Sequence, residues 1–387
     1  MPMRRLPKGM DSADQITFRT APGVAEFGAP EWDSLAGDNP FVGYAFLAAL
    51  EQSGSVGKGT GWDPLPIAAE SADGTLLGAL PSYLKSHSQG EYVFDHHWAD
   101  AYERAGGRYY PKLQIAAPFT PVNGPRVLAG DPAIGRALLQ AAETLCRQNG
   151  ISSAHATFVA PEQRDLFREA GWMLRHDIQY HWFDRDYGDF EGFLAALSSR
   201  KRKNIRKERR QAAQSVKIRR LSGGEITEAH WDAFWMFYQD TGARKWGTPY
   251  LTREAFSLIG ETLADRIVLV LAEEDGKAVA GALNLMDGEA LYGRYWGTLV
   301  DRPFLHFEVC YYQAMEEALA RGLKRVEAGA QGQHKLLRGY EPVETVSAHW
   351  IADPGFRAAV EQFLEAEREA VSADRVALAR HTPFRKS

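Results

Sequence analysis

The stretch "LSSRKRKNIRKERR", Leu197 to Arg210, gathers positive charge more densely than the rest of the chain; eight of its last eleven residues are Lys or Arg. Read as a helix from Phe190, its apolar stripe is Leu194, Leu197, Ile205 and Ala212. Only Glu208 supplies an acid inside the run, so the cations repel one another and call for a counter-anion. A phosphate-bearing ligand meets that need, with Arg200, Arg202, Lys203, Arg206 and Lys207 as cations and Asn204 as an uncharged donor. The alternative is a solvated helix face. Lys217, Arg219 and Arg220 extend the positive field.

Other stretches carry chemistry-bearing types. "GAQGQHKLLRGY" (329–340) sets Gln331, His334, Lys335 and Arg338 within two turns of a strand end, between glycines that let backbone approach a ligand. "VEAG" puts Glu327 on that strand. "LHFE" puts His306 and Glu308 at a helix start, where an acid suits the helix dipole and the histidine is a cap or a base. "FDHHWADAY" offers Asp95, His96, His97, Trp98, Asp100 and Tyr102, with Tyr109, Tyr110 and Lys112 behind. Its spacing matches no metal-ligand motif, and no metal site is expected. "RKWGTPY" adds Trp246 and Tyr250. No nucleophile elbow, P-loop or dinucleotide fingerprint is present.

The elements that must position these groups are those of a packed globular chain. Apolar residues make up 45% and charged residues 25% of 387, enough for two or three domains with real cores. The net charge of −5 excludes a general polyanion binder, so any phosphate is held locally. Two distant cysteines exclude a Cys-based zinc site. The N-terminus lacks the apolar run of a signal peptide, and no run is long enough to span a bilayer, so a cytoplasmic protein is expected.

The halves show one order of elements. In the first, 62–70 and 74–85 read as a hairpin across "SADG", and 86–113 as a Gly- and aromatic-rich loop. The run 131–150 is a helix with Asp131 as cap and Gly150 as stop. In the second, 266–297 reads as three strands joined at Asp-Gly turns, followed by a helix over about 305–321 and a strand at "KRVEAGA". "TVSAHWI" is a later strand. The last helix buries Phe356, Val360, Phe363 and Leu364. Each half is mixed α/β, and the boundary is placed at 187/188.

The segments "FDHHWADAYERAGGRYYPKLQIAAPFTPVNGPR" (94–126), "SSRKRKNIRKERR" (198–210), "ARKWGTPYLTREAF" (243–256) and "LHFEVCYYQAMEEALARGLKRVEAGAQGQHKLLRGYEPVETVSAHWI" (305–351) resemble the FemAB-like predicted N-acyltransferases of bacteria, often labelled peptidoglycan biosynthesis or recognition proteins. The likeness runs from about Trp32 to Val371. It implies two tandem acetyltransferase-type (GNAT) domains, with 1–187 as acceptor platform and 188–387 as donor-binding and catalytic domain. In such folds the donor lies where the fourth and fifth strands splay, here the strands of Arg294 and Tyr295 and of Glu327. Acyl transfer to an amine needs a proton acceptor and an oxyanion donor, which makes Glu327, Lys335, His306, Glu308 and Tyr295 the catalytic candidates. By position Lys335 and Arg338 would face the donor or acceptor, with Gln331 and His334 beside them. Asp95, His96, His97, Trp98, Asp100, Tyr102, Tyr110, Lys112, Trp246 and Tyr250 would wall the acceptor. For Glu327 the plain alternative is a surface salt bridge to Arg325 or Lys324.

Two features depart from the pattern. The stretch 296–306 lacks the glycines of a CoA pyrophosphate loop, and no long helical arm is present. The expected function is N-acyl transfer, without a covalent intermediate, from an activated donor to an amine. Acyl-CoA is the first donor expected, as a co-substrate rather than a resident cofactor, and aminoacyl-tRNA the second. A non-catalytic recognition module for a cell-wall precursor is the rival class.

Overall fold

Pro64, Pro66 and Pro81 interrupt the two apolar runs expected to pair as one hairpin. Proline has no N–H to give to a ladder, and each run becomes two strands. In the computed structural model, which describes residues 16–214, 216–245, 249–330 and 332–385, Ile67–Glu70 pairs with Leu76–Leu80, while Trp62–Pro64 pairs separately with Ser82–Lys85.

The chain forms two compact units, residues up to 177 with 345–371, and 178–344 with the residues after 371. The chain crosses inside the strand Met173–Phe183 and returns inside the strand Glu341–Ile351. A boundary at 187/188 follows the turn residues of "DYGDFEG"; the crossings fall inside continuous strands, where no turn residue marks them.

In the first unit a small sheet joins Thr17–Thr20, Ile67–Glu70, Leu76–Leu80 and Leu128–Ala129. A second set pairs Trp62–Pro64, Ser82–Lys85, Lys112–Ile115, Ser153–Ala156 and the 348–351 end of Glu341–Ile351. The helix Pro132–Asn149 connects the parallel strands Lys112–Ile115 and Ser153–Ala156. Asp131 caps it by accepting from the Ala133 N–H at 2.7 Å, and Gly150 ends it in the left-handed region. Leu138, Leu139, Ala142 and Leu145 bury its inner face against Ile67, Leu80 and Leu113.

The second unit runs antiparallel through Lys217–Leu221, Ile267–Glu274, Lys277–Met286 and Ala290–Thr298. Asp275 and Gly276 make the first Asp-Gly turn, both at positive φ, as a two-residue hairpin loop requires. Arg325–Glu327 then adds in parallel, with 181–183 antiparallel beyond it. A helix over 305–321 connects the parallel strands and carries a π-turn at Glu308–Tyr312.

Elements read as loop or left unread also appear. The helix His96–Arg104 stands inside the stretch read as loop, and Glu228–Lys245 and Arg253–Thr262 pack beside the second unit's sheet. In the last helix, Pro354–Ala379, Val360 and Leu364 are buried as expected, but Phe363 is 44% exposed.

The parallel pairs of the two units end differently. In the first, bonding continues past the ladder: the Thr157 N–H donates to Ile115 O at 3.2 Å, and Gly124 bridges Val159. Arg126, fully buried, closes what remains, its Nε donating to Thr157 O at 2.7 Å and its Nη2 to Val122 O at 2.6 Å. Burial without a carboxylate pushes this guanidinium down to about 9. In the second unit the ladder stops at Tyr292 and Glu327 while Ala290–Thr298 runs on. Replacing Arg126 with Met leaves two buried carbonyls without donors. We expect a loss of about 2–5 kcal/mol, read as a lower urea midpoint with an unchanged slope.

Candidate active site

The V-shaped parting after Tyr292 and Glu327 is prepared by the strand itself. Asn284 faces Gly293 and Leu283 faces Tyr295, so Arg294 is an extra residue that bulges the strand. Gly293 sits at the apex, where a Cβ would come 3.4 Å from Glu327 O. Asn284 donates its amide to Val268 O at 3.1 Å, which leaves its buried Oδ1 without a donor among the described residues. Sequence reasoning did not single out Asn284; a lone Asn in the apolar run "GALNLM" was its only signal.

On the other arm, residues 328–329 stay with the neighbouring strand. The Ala328 N–H donates to Tyr180 O and the Tyr180 N–H to Gly329 O, both at 3.2 Å. The carbonyls of Ala328 and Gly329 receive the ammonium of Lys335, the second at 3.1 Å. The third N–H of Lys335 has no acceptor among the described residues. Burial pushes this lysine down to about 8. Glu327 is buried, not at the surface. Arg325 Nε donates to its Oε1 at 2.9 Å, so the pairing with Arg325 is real, but Oε2 keeps no hydrogen bond. His181, in register with Glu327, brings Nε2 to 3.6 Å from that oxygen and to 3.2 Å from Gln179 Oε1. Both neighbours are acceptors, which assigns the proton to Nε2. Burial holds His181 below the ordinary histidine value, so the ring is neutral near pH 7. Sequence reasoning missed His181, which stands between Tyr180 and Trp182 in an aromatic run.

Period-2 alternation separates the other candidates. Tyr295 packs edge-on against Tyr238 at 5.2 Å, toward the helices Glu228–Lys245 and Arg253–Thr262. Trp296 turns the opposite way and meets His306 at 5.2 Å. His306 also lies 5.2 Å from Tyr311 and 6.2 Å from His334, and the Tyr311 hydroxyl is 3.0 Å from His334 Nε2. The structure therefore brings His306, His334 and Lys335 together around Tyr311, while Tyr295 lies apart. Tyr250 gives its N–H to the Tyr238 hydroxyl at 3.2 Å. Gln331 and Trp246 lie outside the described residues.

The basic run is helical over Ser199–Ala212, separated from Phe190–Ala196 by extended backbone at Leu197. The expected stripe of Leu194, Leu197, Ile205 and Ala212 is buried. Two expectations are corrected. Glu308 is neither a free base nor merely a dipole partner. Arg209 grips it with two bonds of 2.9 and 3.0 Å, and Gln313 donates to it at 2.7 Å. Arg338 is not open to a phosphate. It makes two bonds to Glu208 of 2.9 and 3.1 Å, donates to His334 O at 2.8 Å and lies 3.4 Å over the Phe307 ring. Within the run, Arg206 pairs with Glu191 and Arg202 leans on Ser199, whereas Arg200, Lys203, Asn204 and Lys207 are exposed.

In the first unit, Asp95 and Lys112 are interior groups rather than a wall. Lys112 Nζ, fully buried, donates to Asp95, to Glu91 at 2.7 Å and to Ser88 at 2.8 Å. Tyr109 donates to Asp95 at 2.7 Å, and Tyr110 shares a 2.8 Å bond with Ser88. Burial opposes the charge on Lys112, yet Glu91 and Asp95 hold it above the ordinary lysine value. Burial pushes Glu91 up to about 7. Trp98 is buried against His349 at 4.9 Å, and Tyr102 stacks on Phe356. Only His96, His97 and Asp100 of this group are exposed.

The model of the FemAB-like family, described as peptidoglycan biosynthesis/recognition, matches residues 23–386. This chain belongs to the FemAB-like family. No curated protein matches it. Among solved structures, FemX is similar to this FemAB-like protein over 87% of this chain and 98% of its own, at 13% identity and a TM-score of 0.53. The C-terminal domain of a putative lysylphosphatidylglycerol synthetase from Agrobacterium fabrum is similar over 88% and 97%, at 11% identity and 0.51. A tandem GNAT protein from the clavulanic acid biosynthesis pathway is similar over 88% and 99%, at 13% identity and 0.49. The tandem mixed α/β fold expected from the sequence is borne out by the two units and by the likeness to FemX. Among the described residues no helix is long and apolar enough to cross a membrane, and no His, Cys, Asp or Glu cluster suits a metal.

Because its carboxylate is committed to Arg209, Glu308→Ala in this FemAB-like protein is expected to cost about 2–4 kcal/mol of stability. Thermal melting and turnover per folded molecule check this: the melting temperature falls and turnover stays. A loss of turnover of more than about ten-fold in a fully folded variant would put Glu308 in the chemistry.

Proposed function

We propose that this protein transfers an acyl group from an activated ester or thioester to an amine, in the V between Ala290–Thr298 and Arg325–Glu327. Two separate features near the end of the ladder support this reading: among the described residues Lys335 is a buried ammonium with an unused N–H, and Glu327 a buried carboxylate with an oxygen that accepts no hydrogen bond. The donor chain lies along residues 293–298, on the side where the ladder with Arg325–Glu327 has ended. Its carbonyl oxygen takes the third N–H of Lys335, which stabilises the developing oxyanion. The amine nitrogen attacks the carbonyl carbon and passes its proton to Oε2 of Glu327, held in place by Arg325 and His181. The C–N bond forms, the C–S or C–O bond breaks, and the leaving thiolate or alkoxide is protonated. No covalent enzyme intermediate is needed.

The family description supports an acceptor amine on a cell-wall precursor. An acyl-CoA is the first donor to test and an aminoacyl ester on tRNA the second; both place the reaction in the cytoplasm. The loop after Ala290–Thr298 argues against a pyrophosphate cradle there, since it has no glycine from 299 to 304 and Arg302 is bound to Glu274 at 2.6 Å. In this reading residues 178–344 bind donor and catalyse, and the first unit serves as platform.

Thiol release from acetyl-CoA, and aminoacyl transfer from charged tRNA, onto amine-bearing cell-wall peptides test the proposal. Glu327→Gln and Lys335→Met are each expected to lower kcat by about 10²–10⁴ with the fold intact. Donor and acceptor binding without transfer in the wild-type protein would leave a recognition module instead. Lys335 must be protonated to act, and burial lowers its value to about 8. The rate is therefore full below that pH and falls as pH rises through it. Lys335→Arg should carry the falling limb beyond the measurable range; a limb that stays in place would remove Lys335 from this role.

A further inference from the structure

One face of the basic helix Ser199–Ala212 is not used by the unit that carries it. Ile205 and Ala212 are buried, while Glu208 and Arg209 beside them pair inward with Arg338 and with Glu308 and Glu316. At about 3.6 residues per turn, Arg200, Lys203, Lys207 and Arg210 fall opposite Ile205, within an arc of about 80° and a rise of about 15 Å. All four are exposed. No carboxylate among the described residues comes within ion-pair distance of any of them, whereas Arg206, at the edge of the row, is paired with Glu191.

The shape of this row selects its ligand. A small anion is bound in a concavity, and a convex row of side chains surrounds nothing. A diphosphate engages two such cations, not four spread along the helix. Single-stranded nucleic acid is gripped by aromatic side chains that stack on bases, and residues 198–212 contain no aromatic residue. A straight row of cations facing solvent instead matches a plane of negative headgroups. The chain as a whole carries −5, so such a plane repels the remainder and turns this face toward itself.

We propose that the Arg200–Lys203–Lys207–Arg210 face docks the protein reversibly on an anionic bilayer surface. This goes beyond the acyl-transfer reading and stands whether or not that reading holds. Sedimentation with vesicles of phosphatidylcholine alone, and with phosphatidylglycerol mixed in, tests it at low and raised salt. The full chain should bind only the anionic vesicles and be released by salt. The combined variant Arg200→Gln, Lys203→Gln, Lys207→Gln, Arg210→Gln should lose about 5-fold per cation, ~10²–10³ in all. Its melting temperature should hold, since these side chains support nothing. The charge-keeping exchange of Arg for Lys and Lys for Arg at the same four positions should bind as the wild type does. No binding to anionic vesicles, or binding the combined variant retains, overturns the proposal. Row-dependent binding to total tRNA without vesicle binding also overturns it and gives the row to RNA.

Discussion

Two parallel strands stay joined only as far as each supplies N–H and C=O groups to the other. The acyl-transfer reading depends on where that supply stops in the second unit. At Tyr292 and Glu327 the ladder ends, but Ala290–Thr298 does not. Arg294 bulges the strand, Gly293 keeps the apex narrow, and the Ala328 and Gly329 carbonyls turn to Lys335. The first unit has the same strand–helix–strand order and no such opening, because Arg126 spends its guanidinium on the carbonyls that would line it. One fold thus gives a closed form and an open one, and the difference is where buried backbone groups find partners.

Buried charge serves two purposes. Around the basic helix, Arg209 with Glu308 and Glu316, and Glu208 with Arg338, tie the helix to the π-turn and to the segment that holds Lys335. These pairs fix the position of the site's supports, and of the run's eight cations only Arg209 enters them. In the first unit, Lys85 and Lys112 face Glu91 and Asp95 in a buried network of two cations and two carboxylates. Such pairs are costly to break singly.

The strands of the second unit, the helices 305–321 and Pro132–Asn149 and the Asp-Gly turn were legible because periodicity and turn chemistry are local. The neighbourhood of Glu327 and Lys335 was legible from residue types beside a strand end. What was not legible depends on distance in sequence. Glu308 reads as a first-turn acid until Arg209 folds onto it, and Arg338 reads as a phosphate ligand until Glu208 takes it. Asp95 and Lys112 look like a polar wall because sequence carries no burial. His181 and Asn284 gain meaning only from register, which pairs them with Glu327 and Gly293. The crossings between units fall inside strands, where no residue type announces them.

The most direct test of this account is amide hydrogen exchange on the full chain, with and without acyl donor, resolved to the strand. The open V predicts that those amides of 293–298 that the ladder with Lys277–Met286 does not hold gain protection when donor binds, together with 328–335, while 112–115 and 153–157 do not change. Protection confined to the first unit's strand pair, or a donor that binds without protecting 293–298, would contradict it.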